Sequence, residues 1–212
     1  MSISQTITYS DDGKIAARRY DVRPVQIWDI SGEQEIATVD FGKDSSRLLR
    51  LNFSGDILAV VTNKYDLSLW DIKTNKLIHK LKGHSDYINS VKFSPDNKIL
   101  ASAARDRMIK LWNIETGDLI TSFQEYSSIV SLAFHPVEPI LASGSEDGMI
   151  ILWNTKKLQK EYYYTAYPKP KNALKSPKVG SLRFSQDGNY LASASSTLRL
   201  WKFLPDKIFQ DN

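Results

Sequence analysis

Trp28, Trp70, Trp112, Trp153 and Trp201 follow one another at intervals of 42, 42, 41 and 48 residues. A fixed period of this size is the mark of a repeat architecture, whose units bury their apolar faces only against their neighbours. Three copies of the unit align by eye: "INSVKFSPDNKILASAARDRMIKLWNI", "IVSLAFHPVEPILASGSEDGMIILWNT" and "VGSLRFSQDGNYLASASSTLRLWKF". Two earlier copies are worn: "TITYSDDGKIAARRYDVRPVQIWDI" and "LLRLNFSGDILAVVTNKYDLSLWDI". Ser10 to Trp28, Ser94 to Trp112 and His135 to Trp153 are each 18 residues apart. Ser54 to Trp70 and Ser185 to Trp201 are 16 apart, read as a loss of two residues in a turn.

Each unit reads as four short strands. Strand a ends at Tyr9, Phe53, Phe93, Phe134 or Phe184, strand b carries Leu-Ala-Ser or its equivalent, strand c ends at the tryptophan, and strand d follows a polar turn. Pro-Asp, Asp-Gly, Asn-Lys and Thr-Gly turns every eight to ten residues break the chain too often for helices, and β-branched and aromatic runs between them favour antiparallel meanders. Inner strands apolar on both faces imply sheets covered on both sides. The expected fold is all-β, with four-stranded antiparallel sheets in five units of about 1–43, 44–83, 84–125, 126–172 and 173–212.

Composition narrows the function classes. The chain has no cysteine, which removes disulfides and thiolate metal sites and points weakly to the cytoplasm. His79, His84 and His135 form no HExxH spacing, and no metal or other cofactor is expected. No apolar run is long enough for a membrane helix, so no membrane role is expected. A net charge of +4 mildly favours acidic partners, protein or nucleic acid.

The units resemble WD repeats, and the chain resembles part of a WD-repeat β-propeller. The Trp-Asp dipeptide stands at Trp28-Asp29 and Trp70-Asp71, drifting to Trp112-Asn113, Trp153-Asn154 and Trp201-Lys202; Gly-His occurs once, at Gly83-His84. The "LASGSxDxxIxLWN" style is similar to bacterial, especially cyanobacterial, members. The resemblance implies a structural tetrad of His84, Ser102, Asp106 and Trp112 in unit three, a chain of hydrogen bonds bracing the blade. Ser143, Asp147 and Trp153 repeat three of its members. His-Ser-Asp also spells a hydrolase triad, with Ser102 as nucleophile, His84 as base and Asp106 as orienter. The repetition of Ser and Asp in unit four, and the absence of a GxSxG elbow, favour a brace and a chain that is not an enzyme.

Five units are fewer than the seven usual in the resembling family, so an incomplete or open propeller is expected over a closed five-blade ring. The first reading is a fragment of a larger propeller, such as a sensor or signalling protein; the second is an open five-blade arc that pairs with itself or another chain through its exposed blade faces. Strand d of the last unit is expected at Ile208 and Phe209. The resemblance implies a non-enzymatic protein-interaction scaffold whose partner face carries Arg47, Tyr87, Asn89, Arg105, Ser128, Glu146 and Lys178, a basic rim suited to an acidic peptide or protein segment. The insert 156–178, "KKLQKEYYYTAYPKPKNALKSPK", holds seven lysines and four tyrosines. It offers an alternative, basic nucleic-acid binding; its "YYY" is expected to be strand d, packed between blades.

Overall fold

The computed structural model describes residues 5–20, 23–41, 46–62, 65–169, 177–203 and 210–211. Strands β1 (Gln5–Tyr9), β2 (Ile15–Tyr20), β3 (Val25–Asp29) and β4 (Gln34–Val39) form the first sheet. The second holds β5 (Ser46–Leu51), β6 (Ile57–Thr62), β7 (Asp66–Asp71) and β8 (Lys76–Leu81). The third holds β9 (Ile88–Phe93), β10 (Ile99–Ala104), β11 (Met108–Asn113) and β12 (Leu119–Gln124). The fourth holds β13 (Ile129–Phe134), β14 (Ile140–Ser145), β15 (Met149–Asn154) and β16 (Gln159–Thr165). The fifth holds β17 (Ser181–Phe184), β18 (Tyr190–Ala194), β19 (Leu198–Lys202) and β20 (Gln210–Asp211). Every sheet is an antiparallel meander, and no helix occurs among the described residues. Ile208 and Phe209 lie outside the described residues, as does the stretch 170–176 of the lysine-rich insert.

The sheets stack in chain order. β1 packs on β5, β5 on β9, β9 on β13 and β13 on β17, and each junction has its own apolar core. The tryptophan face of the later sheet always meets the Ala-Leu-Ile face of the earlier one. Trp112, Leu100 and Phe93 thus pack on Ala59, Leu67 and Leu69, and Trp153 and Leu141 on Ala101, Ile109 and Leu111. Each large side chain so buried contributes about 1.5–3 kcal/mol. Among the described residues, four cores join five sheets and none joins the fifth to the first, so the arc is open. Its two end faces are accordingly bare. Trp28 is 37% exposed where Trp112 is 2% exposed, with Ile7 and Tyr9 exposed on the same face; at the other end Leu198 and Leu200 are exposed.

Two details correct the sequence reading. Strand a of the second sheet ends at Leu51, which pairs with Leu58 as Phe93 pairs with Leu100, and Phe53 lies exposed in the turn. Asn52, 18 residues before Trp70, is therefore the equivalent of Ser94, and this turn has lost nothing. Of the three consecutive tyrosines on β16, only Tyr164 packs against the junction core, while Tyr162 and Tyr163 are exposed.

Candidate interaction face and blade braces

Outside the fourth sheet, the turns that follow the first strand share one chemistry. Between the first two strands, a hydroxyl donates to an aspartate two residues on and accepts an N–H five residues on. Ser10 does so with Asp12 (2.6 Å) and Ile15 (2.9 Å), Ser94 with Asp96 (2.6 Å) and Ile99 (2.9 Å), and Ser185 with Asp187 (2.5 Å) and Tyr190 (3.0 Å). These bonds hold the Asp12 and Asp187 carboxyls below the ordinary value. Asn52 does the same work through Oδ1, which accepts from Asp56 and Ile57. After the first four tryptophans, the Oδ1 of the next residue caps a turn: Asp29 accepts from Ser31, Asp71 from Thr74, Asn113 from Glu115 and Thr116, and Asn154 from Lys156 and Lys157. The drift from Trp-Asp to Trp-Asn is thus chemically silent, because only the acceptor oxygen is needed.

In the third sheet the braces are continuous. Trp112 Nε1–H donates to Ser102 Oγ (2.9 Å), Ser102 Oγ lies 2.8 Å from His84 Nε2, and His84 Nδ1 lies 2.8 Å from Asp106 Oδ2. Asp106 also accepts the N–H groups of Ser85 (3.0 Å) and Met108 (2.9 Å). Each polar atom therefore has a partner if the imidazole is neutral with its proton on Nδ1. Burial holds the His84 pKa below the ordinary histidine value against the pull of Asp106. The spacing is that of an acyl-transfer triad, but Ser102 is 0% exposed and its oxygen is already occupied by the indole N–H. A substrate carbonyl has no approach to it.

The other sheets improvise. Trp153 Nε1–H donates to Ser143 Oγ (2.9 Å), but Asp147 takes the hydroxyl of Ser145 and makes no closed chain with Ser143. Glu125, where a histidine would fall, is buried in an ion pair with Lys160 (2.5 Å). In the second sheet Trp70 Nε1–H donates to Ser68 (3.0 Å), two residues away on the same strand, because strand b offers only Val60. In the fifth, Trp201 Nε1–H donates to Ser193 Oγ (2.9 Å), and Tyr167 stands where unit three has its histidine. Its buried hydroxyl lies 3.0 Å from Ser193 Oγ, 2.8 Å from the Ser193 carbonyl and 3.0 Å from the Thr197 carbonyl. Gly148 (φ 85°) admits this segment, since a Cβ there would fall 2.3 Å from the Tyr167 carbonyl oxygen. His135 braces the next junction. Its Nδ1 accepts N–H from Val137 (3.1 Å) and Glu138 (2.8 Å), its Nε2–H donates to the Gly188 carbonyl (3.1 Å), and its ring packs on Phe184 and Phe203. Burial lowers its pKa.

At the strand-a entry, three of the partner-face residues meet. The Arg47 guanidinium lies 4.3 Å from the Tyr87 ring centroid and that of Arg105 lies 5.1 Å from the same ring. Arg47 occupies the register of Asn89, next after Ser46 as Asn89 follows Ile88, so the second and third sheets contribute one arginine each. Glu146 and Lys178 are exposed at the same ends of the fourth and fifth sheets. Asn89 and Ser128 fall out of this face. The Asn89 amide is committed to the next sheet through the Ile129 carbonyl (2.8 Å), and the Ser128 hydroxyl is buried. Among the described residues, no cluster of three His, Asp or Glu suited to a metal occurs, and no helix is long and apolar enough to cross a membrane.

A family model described as WD domain, G-beta repeat, matches residues 75–113, 117–154 and 169–202, together just over half of the chain. No curated protein matches the chain.

Proposed function

The chain belongs to the WD40-repeat family, and we propose that it is a non-enzymatic scaffold that binds an acidic protein segment on the Arg47–Tyr87–Arg105 face. Repeats of this family generally mediate protein–protein interaction. One observation carries the reading: two guanidinium groups from different sheets stack on one tyrosine ring. Stacking fixes the planes of the forks and leaves their N–H edges for carboxylates, so little side-chain freedom is lost on binding. Neither arginine forms an ion pair among the described residues. The test is fluorescence anisotropy of labelled acidic peptides against neutral peptides of the same length. The reading expects saturable, salt-sensitive binding of the acidic set that Arg47→Ala/Arg105→Ala removes; equal binding by the variant overturns it.

Nucleic-acid binding by the insert has less support. Lys160 is paired with Glu125 and lies over the Trp153 ring, and Lys157 pairs with Glu161. A single-stranded oligonucleotide in the same assay decides between the two, since its affinity should fall steeply with salt and survive loss of the arginines.

A second reading rests on the bare end faces. Trp28, Ile7 and Tyr9 repeat the later side of an internal junction, and Leu198 and Leu200 the earlier side. Two copies can therefore stack end to end by the contact already used four times within the chain. Light scattering should show mass rising with concentration in the wild type and not in Leu198→Asp; a concentration-independent monomer refutes it.

A further inference from the structure

Three cations occupy one level of the innermost strands. Arg50 on β5 lies opposite Ala59, Lys92 on β9 opposite Ala101, and Arg183 on β17 opposite Ala192. Each stands two residues before the turn residue, Asn52, Ser94 or Ser185, at the end of its strand away from the Arg47–Tyr87–Arg105 face. The fourth sheet puts the small, uncharged Ala133 at this level. Lys92 is within electrostatic reach of both arginines: it is held below the ordinary lysine value first by burial, then by Arg50, with Arg183 adding to the effect and Asp11 opposing it.

This is an unfavourable arrangement as it stands. Arg50 and Lys92 are half-buried. Arg50 Nε is buried with no hydrogen-bond partner, and its Nη1 reaches only the neighbouring Leu49 carbonyl (2.9 Å). Among the described residues no carboxylate pairs with any of the three, and Asp11 is the single acid that acts on Arg50. Like charges brought together and partly removed from water repel unless a counter-charge joins them. A tetrahedral oxyanion of charge near −2 offers acceptors on several sides at once, which matches donors arriving from three strands.

We propose that the inner rim of the arc is an anion site, in which Arg50, Lys92 and Arg183 hold a phosphate group, either as free inorganic phosphate or as part of a small phosphorylated ligand. The site is separate from the protein-binding face and does not depend on it.

The experiment titrates inorganic phosphate into the full chain at constant ionic strength, with sodium chloride as balance, and reads heat of binding and melting temperature. The wild type should bind saturably and melt higher with phosphate. Lys92→Met should weaken binding about tenfold or more, the effect of losing one charged hydrogen bond. It should also melt higher than the wild type in phosphate-free buffer, because the repulsion is relieved. Arg183→Gln, which alters an exposed side chain, serves as the second comparison if Lys92→Met does not fold. Arg47→Ala/Arg105→Ala should bind phosphate as the wild type does. Inositol hexakisphosphate in place of phosphate separates the two sources: tighter binding by at least tenfold identifies a phosphorylated ligand, and equal affinity identifies the free ion. The proposal is overturned if the wild type shows no saturable phosphate binding, or if Arg183→Gln and Lys92→Met bind as it does.

Discussion

Replacing Ser102 by Ala removes one oxygen from the centre of the third sheet. That oxygen accepts the Trp112 N–H at 2.9 Å and contacts His84 Nε2 at 2.8 Å, and the residue is 0% exposed. Its loss leaves a buried donor and a buried acceptor without partners, and water cannot reach either. Each orphaned group costs about 1–3 kcal/mol, so the pair costs roughly 2–6 kcal/mol, the lower figure applying if the indole and imidazole shift to share the space. For a domain of this length, 1 kcal/mol moves the melting temperature by ~2–4 °C, which gives a drop of about 4–24 °C if the arc melts as one unit. Differential scanning calorimetry on wild type and Ser102→Ala reads this directly, and near-ultraviolet circular dichroism of Trp112 shows whether the loss is local. A brace requires the drop. A variant that melts within about a degree of wild type while losing an ester-cleaving activity would show that Ser102 is a nucleophile, and the reasoning from burial would fail.

Tyr167→Phe should destabilise the fifth sheet by about 1–3 kcal/mol, since its hydroxyl satisfies Ser193 and Thr197; hydrogen exchange at β18 and β19 should rise, and unchanged protection would refute the substitution of tyrosine for histidine. Gly148→Ala should be worse than a mid-strand Gly→Ala change, because φ is 85° and the new Cβ meets the Tyr167 carbonyl oxygen; a melting temperature equal to or above wild type contradicts the close approach. His84 and His135 have folded-state pKa values lowered chiefly by burial. The unfolded chain takes up their protons first, so their contribution is whole above about pH 6.5 and is lost as pH falls from there towards the folded values. Melting temperature should fall between pH 7 and 5, and less steeply in His135→Asn, which installs the side chain that Asn52 uses at the same place in the second sheet. A slope unchanged by the substitution would refute the role of His135.

The tryptophan period and the turn residues sufficed to foresee the sheets because both encode local geometry: alternation sets strand faces, and Ser, Asp and Asn oxygens close turns within five residues. The His84–Asp106 chain was legible only through the resemblance to WD repeats, whose tetrad members stand at these intervals. The substitutes were not. Ser68 replaces Val60 from a different strand, and Tyr167 replaces a histidine from beyond the end of strand d, reached only because Gly148 lets that segment approach. Ser68 meets Trp70 within one strand, at a position where the other units carry no such hydroxyl, and Tyr167 meets Ser193 only through tertiary packing, which a per-unit alignment does not carry. The same limit misplaced Phe53, because Phe-Ser in unit two imitates Phe-Ser in unit three while Asn52 holds the turn. Asn89 reads as a surface residue from its register, and its commitment to Ile129 depends on the neighbouring sheet.

The most direct test of the binding face is charge reversal. Arg47→Glu/Arg105→Glu keeps two long side chains beside Tyr87 and inverts their sign, at positions exposed enough to leave the fold intact. Anisotropy titrations of one acidic peptide and its lysine-substituted counterpart against wild type and variant form a four-way comparison. The account requires wild type to prefer the acidic peptide and the variant to prefer the basic one, with melting temperatures alike. The same preference in both proteins, or none in either, would contradict it.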